Sequence, residues 1–185
     1  MTQPLRITVL TGTNRPGSRT RRVCQRLLAR YEDIDSVDAQ LLDLAELPPE
    51  LFSPSAYAEK PASFARFSDT ILASDGLHIV SPEYNGGMPG VLKLFIDHLP
   101  FPQSFERRPV AFVGVAAGRF AALRPIEQLQ AVFGYRNAHI YPPRVFIAEA
   151  YKTLDEHGEP TDERLAGQLD AQVTGFVDFV GRLRA

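Results

Sequence analysis

The chain has 185 residues, of which 44% are hydrophobic and 23% charged, and its net charge is -2 at pH 7. That length makes one ordinary domain, burying about 70% of the surface the unfolded chain exposes, and the composition excludes a disordered or fibrous protein. The near-neutral balance gives no general electrostatic reason for nucleic acid or an anionic membrane as partner, so any anion site is local.

The opening segment "MTQPLRITVLTG" has Arg6 inside its one apolar run and no cleavage pattern. It reads as a first strand, "LRITVL" at 5 to 10, and not as a signal peptide. A helix follows over 18 to 31, with Val23, Leu27, Leu28 and Tyr31 on one face. Cys24 falls in this pattern as a small core residue. As the only cysteine it excludes an internal disulfide and fits a reducing cytoplasm. Next come a strand at 37 to 44, a helix over 62 to 74 and the strand "GLHIVS" at 76 to 81, whose apolar positions mark a sheet interior covered on both faces. The helix at 89 to 99 has Pro89 in a first-turn position. A strand at 109 to 117, a helix at 120 to 134, an edge strand at 138 to 147 and a last helix from about 162 to 183 complete the chain. Pro125 predicts that the regular part of the fourth helix begins there, after a looser turn. No later run reaches the ~18 apolar residues of a membrane helix. Five strands alternating with five helices and no linker imply a single domain over 1 to 185, with one parallel sheet between two helical layers. Two long connections, 45 to 61 and 148 to 160, are candidates for functional lids, oligomer arms or plain surface excursions.

Two loops carry the polar chemistry. After the first strand, "GTNRPGSRT" (12 to 20) has two glycines, three hydroxyls and two arginines where ligands bind in open parallel sheets. Gly12 and Gly17 free the backbone, the coming helix aims N–H groups into the loop, and Thr13, Arg15, Ser18 and Thr20 add donors, so the stretch reads as a phosphate cradle. The same residues also describe a helix amino terminus capped by Ser18 with solvated arginines beside it. Ser18-Arg19 replaces the Lys-Ser or Lys-Thr of a triphosphate loop, and Asn14 replaces the second glycine of a dinucleotide loop, so a monophosphate suits it better. After the third strand, "SPEYNGGMPG" (81 to 90) is shaped by three glycines and two prolines, with Glu83, Tyr84 and Asn85 at its tip. The histidines at 78, 98, 139 and 157 show no ligand spacing, and no metal site is expected.

"GTNRPGSRT", "SPEYNGGMPGVLK" and "GRFAALRPIEQLQAVF" with "YPPRVFI" after it, in this order, resemble the NAD(P)H-dependent FMN reductase family, whose members reduce flavins, quinones, azo dyes or chromate. The resemblance covers nearly the whole chain and implies a flavodoxin-like α/β/α sandwich with strand order 2-1-3-4-5. It implies FMN as cofactor and NADPH or NADH as donor. It sets Thr13, Arg15, Ser18, Arg19 and Thr20 around the FMN phosphate, Pro82, Glu83, Tyr84, Asn85 and Gly86 along the ring and ribityl chain, and Gly118 and Arg119 beside the flavin. It further implies a homodimer or homotetramer, to which Leu94, Phe95, Leu99 and Phe101 would contribute apolar surface, while the cytoplasmic location is read from the lone cysteine. With the flavin carrying the chemistry, no protein residue is assigned a catalytic role, and a ping-pong mechanism with a small-molecule electron acceptor is expected. Gly87, Ala116 and Leu94 depart from the family pattern by losing polar groups. A flavodoxin-like electron carrier and a binding module with a weakened flavin site are the alternatives.

Overall fold

The computed structural model describes residues 3–184. Strands β1 (Leu5–Thr11), β2 (Val37–Asp43), β3 (Gly76–Pro82), β4 (Pro109–Val115) and β5 (His139–Ile147) form one parallel sheet in the order β2-β1-β3-β4-β5. Helices α1 (Arg19–Glu32), α2 (Ala65–Ala73), α3 (Gly90–His98), α4 (Leu123–Tyr135), the short α5 (Ala150–Thr153) and α6 (Glu163–Arg184) cover it. All of β3 and β4 is buried, as strands with helices on both faces must be. On one face Leu77, Ile79, Val110 and Phe112 share a core with Phe67, Phe95 and Phe133. On the other, Ile7, Val9, Val80, Ala111 and Val113 share one with Leu27 of α1 and Val173 and Phe176 of α6.

The differences from the sequence reading have local causes. Ser18 lies outside α1 and caps it, accepting from the Arg21 amide at 3.2 Å. Leu28 is half-buried and Cys24 is fully buried, with its thiol pushed up to about 12 by desolvation. β4 stops at Val115, and α4 starts at Leu123, three residues later than its pattern suggests. Ala121 and Ala122 cause the delay, because both adopt left-handed backbone (φ 53° and 62°) in spite of alanine's preference for helix. Pro125 is the third residue of α4, where no intrahelical N–H is required. The segment 45 to 61 is no open lid: it winds into short 3₁₀ turns whose Leu51 and Ala56 are buried in the first core. Phe95 and Leu99 likewise pack into the chain's own core, while Leu94 is half-buried and Phe101 exposed.

Pro142 and Pro143 interrupt the pairing of β5 with β4: Val110 pairs with Ile140, but Phe112 pairs with Arg144. An edge strand tolerates such a bulge, though it leaves carbonyls without ladder partners. Buried Gln172 of α6 answers them, its amide nitrogen donating to Phe112 O and Pro143 O at 3.0 Å each. Its oxygen is thereby turned toward His78, whose Nε2 lies 3.2 Å away. Nε2 must therefore carry the proton, and Nδ1 accepts from the Tyr31 hydroxyl at 2.8 Å. Desolvation lowers the His78 pKa from 6.5 to about 4. The unfolded chain then binds the extra proton, so this contribution to stability is complete above pH ~6.5 and is lost as pH falls toward 4. The loss expected between pH 7 and 4 is about 3 kcal/mol. Urea midpoints of His78→Gln should depend less on pH across that window, and parallel profiles for variant and parent would place the acid sensitivity elsewhere.

Candidate functional site

The strand order reverses between β1 and β3, so the connections leaving these strands diverge and open a crevice beyond their carboxyl ends. Gly12 sets its floor. Its amide donates to Val80 O at 2.8 Å, and a Cβ at this position would stand 2.7 Å from the same oxygen and 3.1 Å from Ser81 Cα. Gly17, at φ +64°, then turns the chain into α1. The first turn of α1 holds no acidic residue, so its N–H groups and positive dipole end remain available to an anion.

A cleft of about 320 Å³ lies above this loop, lined by Arg15, Gly17, Ser18, Arg19 and Thr20, by Pro82, Glu83 and Tyr84, and by Val115, Ala116 and Ala117. Thr13 is not on its wall. Only 1% exposed, Thr13 shares a 2.8 Å hydroxyl bond with Tyr84 and accepts from the Arg15 amide at 3.2 Å, which ties the first loop to the second. Arg19 lines the cleft but leans outward, its guanidinium 4.5 Å from the Tyr151 ring centroid and its Nη1 donating to Leu154 O and Asp155 O. Arg22, Ala150 and Tyr151 complete that wall and escaped the sequence reading. Arg22 donates to Glu156 O at 2.8 Å, and a Cβ on Gly158 would stand 2.7 Å from the Arg22 carbonyl carbon, so the strap after α5 lies directly on the first turn of α1.

The second loop closes on itself through reciprocal backbone bonds between Tyr84 and Gly87 (3.0 and 3.1 Å), with Asn85 and Gly86 both at positive φ (51° and 79°), the geometry of a tight primed turn. Glu83, Asn85 and Gly86 line a neighbouring pocket of about 200 Å³ with Ala116, Ala117, Gly118, Phe120 and Ala121. Arg119, expected beside the flavin, lines neither cavity; it is exposed, with its guanidinium 5.4 Å from the Phe120 ring. Glu83, Ala116 and Ala117 line both cavities, which lie side by side. Arg124 Nη1 donates to Glu83 Oε1 at 2.9 Å, while Glu83 Oε2 is buried without a hydrogen-bond partner among the described residues. Beside Gly87 the space that a larger side chain would claim is taken by Gln128, which accepts from the Met88 amide at 2.9 Å and would meet a Gly87 Cβ at 3.2 Å.

The site thus has a cationic, hydroxyl-lined end, one carboxylate with a spare acceptor at its middle, and a pocket walled by small residues and Phe120. Such a shape fits an elongated ligand with an anion at one end and a flat, hydrogen-bonding ring at the other. Cys24 and His78 are fully buried, so neither supplies an exposed nucleophile or base. Among the described residues no group of three His, Cys, Asp or Glu side chains is placed to hold a metal ion, and no helix is long and apolar enough to cross a membrane.

A sequence profile described as NADPH-dependent FMN reductase matches residues 5–152. The chain belongs to that family. The reductase is 30% identical, over the full length of both chains, to an NAD(P)H-dependent FMN reductase of Pseudomonas aeruginosa. It is 28% identical, again over both full lengths, to a quinone reductase of Escherichia coli K12. Among solved structures, a flavoenzyme NAD(P)H:(acceptor) oxidoreductase from Paracoccus denitrificans matches with a TM-score of 0.76 at 25% identity, covering 96% of this chain and 98% of that one. The fold is flavodoxin-like, and the activity is that of an FMN-dependent oxidoreductase using a nicotinamide nucleotide.

The loop-to-loop tie is open to direct measurement. Thr13→Val and Tyr84→Phe each remove one end of the partly buried hydroxyl pair. A double-mutant cycle on urea unfolding should return a coupling of about 1 kcal/mol. A coupling near zero would mean that other contacts hold the loops together.

Proposed function

We propose that the reductase takes electrons from NADPH or NADH at this crevice and passes them to a small acceptor of the quinone class. The observation that carries this reading is that the two cavities adjoin across Glu83, Ala116 and Ala117, which sets a place for an anion beside a place for a flat ring. FMN supplies the hydride and electron chemistry when bound. Arg15, Ser18, Thr20 and the N–H groups opening α1 hold its phosphate, and Thr13 works one step back by fixing Tyr84. Pro82, Asn85 and Gly86 shape the seat of the ring, with backbone groups for its polar edge. Nothing lies within 4 Å of the place where a Gly118 side chain would start, which leaves room for the ring there. Arg19 walls the phosphate end, and Arg119, outside both cavities, is set to meet the nicotinamide nucleotide at the rim. Glu83 is engaged with Arg124 and is not assigned as a general base. The quinone class is supported by the relative of that name in Escherichia coli.

Donor and acceptor use the same open face in turn, so initial-rate lines at several acceptor concentrations should run parallel; intersecting lines would require both to be bound at once. Arg15→Ala should weaken FMN by about 1.5–3 kcal/mol in a fluorescence titration if the guanidinium bonds the phosphate, and equal affinity in variant and parent would remove that role. The reading extends to a homodimer or homotetramer, supported by Tyr57, whose ring lies tilted 4.3 Å from that of His98, and by Phe101, three residues beyond His98, at 59% and 64% exposure. Light scattering that gives a monomer mass at micromolar concentration would overturn it.

A further inference from the structure

We infer that the Glu83–Arg124 pair sets the reduction potential of the flavin, the guanidinium charge offsetting that of the carboxylate; this rests on the cofactor reading above. Glu83 is the one carboxylate among the described residues that lines either cavity, and it stands where they adjoin. Its side chain is 14% exposed, so water screens its charge poorly. Among the described residues neither carboxylate oxygen accepts from a backbone N–H: Oε1 takes the Arg124 guanidinium and Oε2 is buried without a partner. Among the described residues Arg124 is thus the cation paired directly with this charge, while Arg15, Arg19 and Arg22 lie on the other walls of the cleft.

Arg124 is held for that task from both sides. It leaves the first turn of α4, lies 4.8 Å over the Phe120 ring centroid, and has its Cδ 3.9 Å from where a Cβ on Gly86 would be. It thus bridges the loop after β4 to the loop after β3. Two-electron reduction of a bound flavin by hydride from a nicotinamide, itself oxidised, would add one negative charge beside this pair. A bare carboxylate beside the ring opposes that charge, and a paired guanidinium offsets it. Arg124 thereby makes the flavin easier to reduce, and Glu83 makes it harder.

A purely structural bracket would hold the loops equally well for both redox states. The test is to titrate the protein anaerobically with oxidised and with dithionite-reduced FMN and to compare the ratio of the two dissociation constants, which fixes the shift in potential. Arg124→Met should disfavour reduced FMN by about tenfold relative to oxidised, equivalent to a drop of about 30 mV for a two-electron couple. Glu83→Gln should move the ratio by about the same factor in the opposite direction, and the double variant should return to within about twofold of the parent. Arg124→Lys, which keeps the charge but loses the fork, should rescue the ratio. Glu83→Gln is nearly isosteric and decides the question alone if Arg124→Met does not fold. Parent and single variants that hold FMN with unchanged ratios overturn the inference and leave the cofactor reading intact. A parent that retains no FMN overturns both.

Discussion

Where the chain leaves β1, the backbone at Gly12 donates a hydrogen bond to Val80 of β3, and the missing side chain is what permits the approach. This contact lies at the point where strand order reverses, so it sets the width of the crevice from which both ligand-facing loops rise. With the two strands held at this spacing, Thr13 of one loop reaches Tyr84 of the other, and the positive end of α1 faces the carboxylate-bearing tip of the second loop across one cleft. The local geometry of either loop alone would leave the distance between phosphate end and ring end undefined.

Strands, helices and the two loops were legible because each rests on local chemistry: buried apolar runs for β3 and β4, period 3.6 for α1, and glycines where the chain must turn. The phosphate loop was legible as a set of donors, but not in its division of labour. The cap at Ser18 was readable because its partner, the Arg21 amide, is three residues away, but Thr13 and Thr20 look alike in sequence; one became a tie and the other a wall residue, because the partner Tyr84 is brought there by the fold. Tyr151 and Arg22 gave no signal, since a polar strap and an amphipathic helix carry such residues everywhere. The start of α4 was misread for a related reason: Ala121 and Ala122 contradict their own preference.

Long-range compensation recurs through the molecule. Pro142 and Pro143 mark β5 as an edge strand, yet the carbonyls they strand are satisfied from α6, and the orientation of Gln172 needed for that duty fixes the tautomer of His78. Gln128 similarly fills the space beside Gly87, so the polar group that seemed lost from the second loop is supplied from α4. In both cases a departure from pattern is balanced by a residue far along the chain.

The left-handed pair Ala121–Ala122 has its counterpart in β4. Such conformations cost on the order of 1–3 kcal/mol each and persist only where the surroundings enforce them. A Cβ on Gly114 would lie 2.6 Å from Ala121 O, so the room for this kinked loop is provided inside the sheet. Loop and strand are therefore locked as one unit, and drift in the loop's shape would require matching change in a fully buried strand. The strap that carries Tyr151 is tied to this same loop, the Ala150 amide donating to Ala116 O at 2.9 Å and the Glu149 amide to Gly118 O at 3.3 Å, and it rests on α1 through carbonyl contacts to Arg19 and Arg22. Strand, kinked loop and strap thus form one braced frame around the site, so a shift in any of the three is passed to the other two.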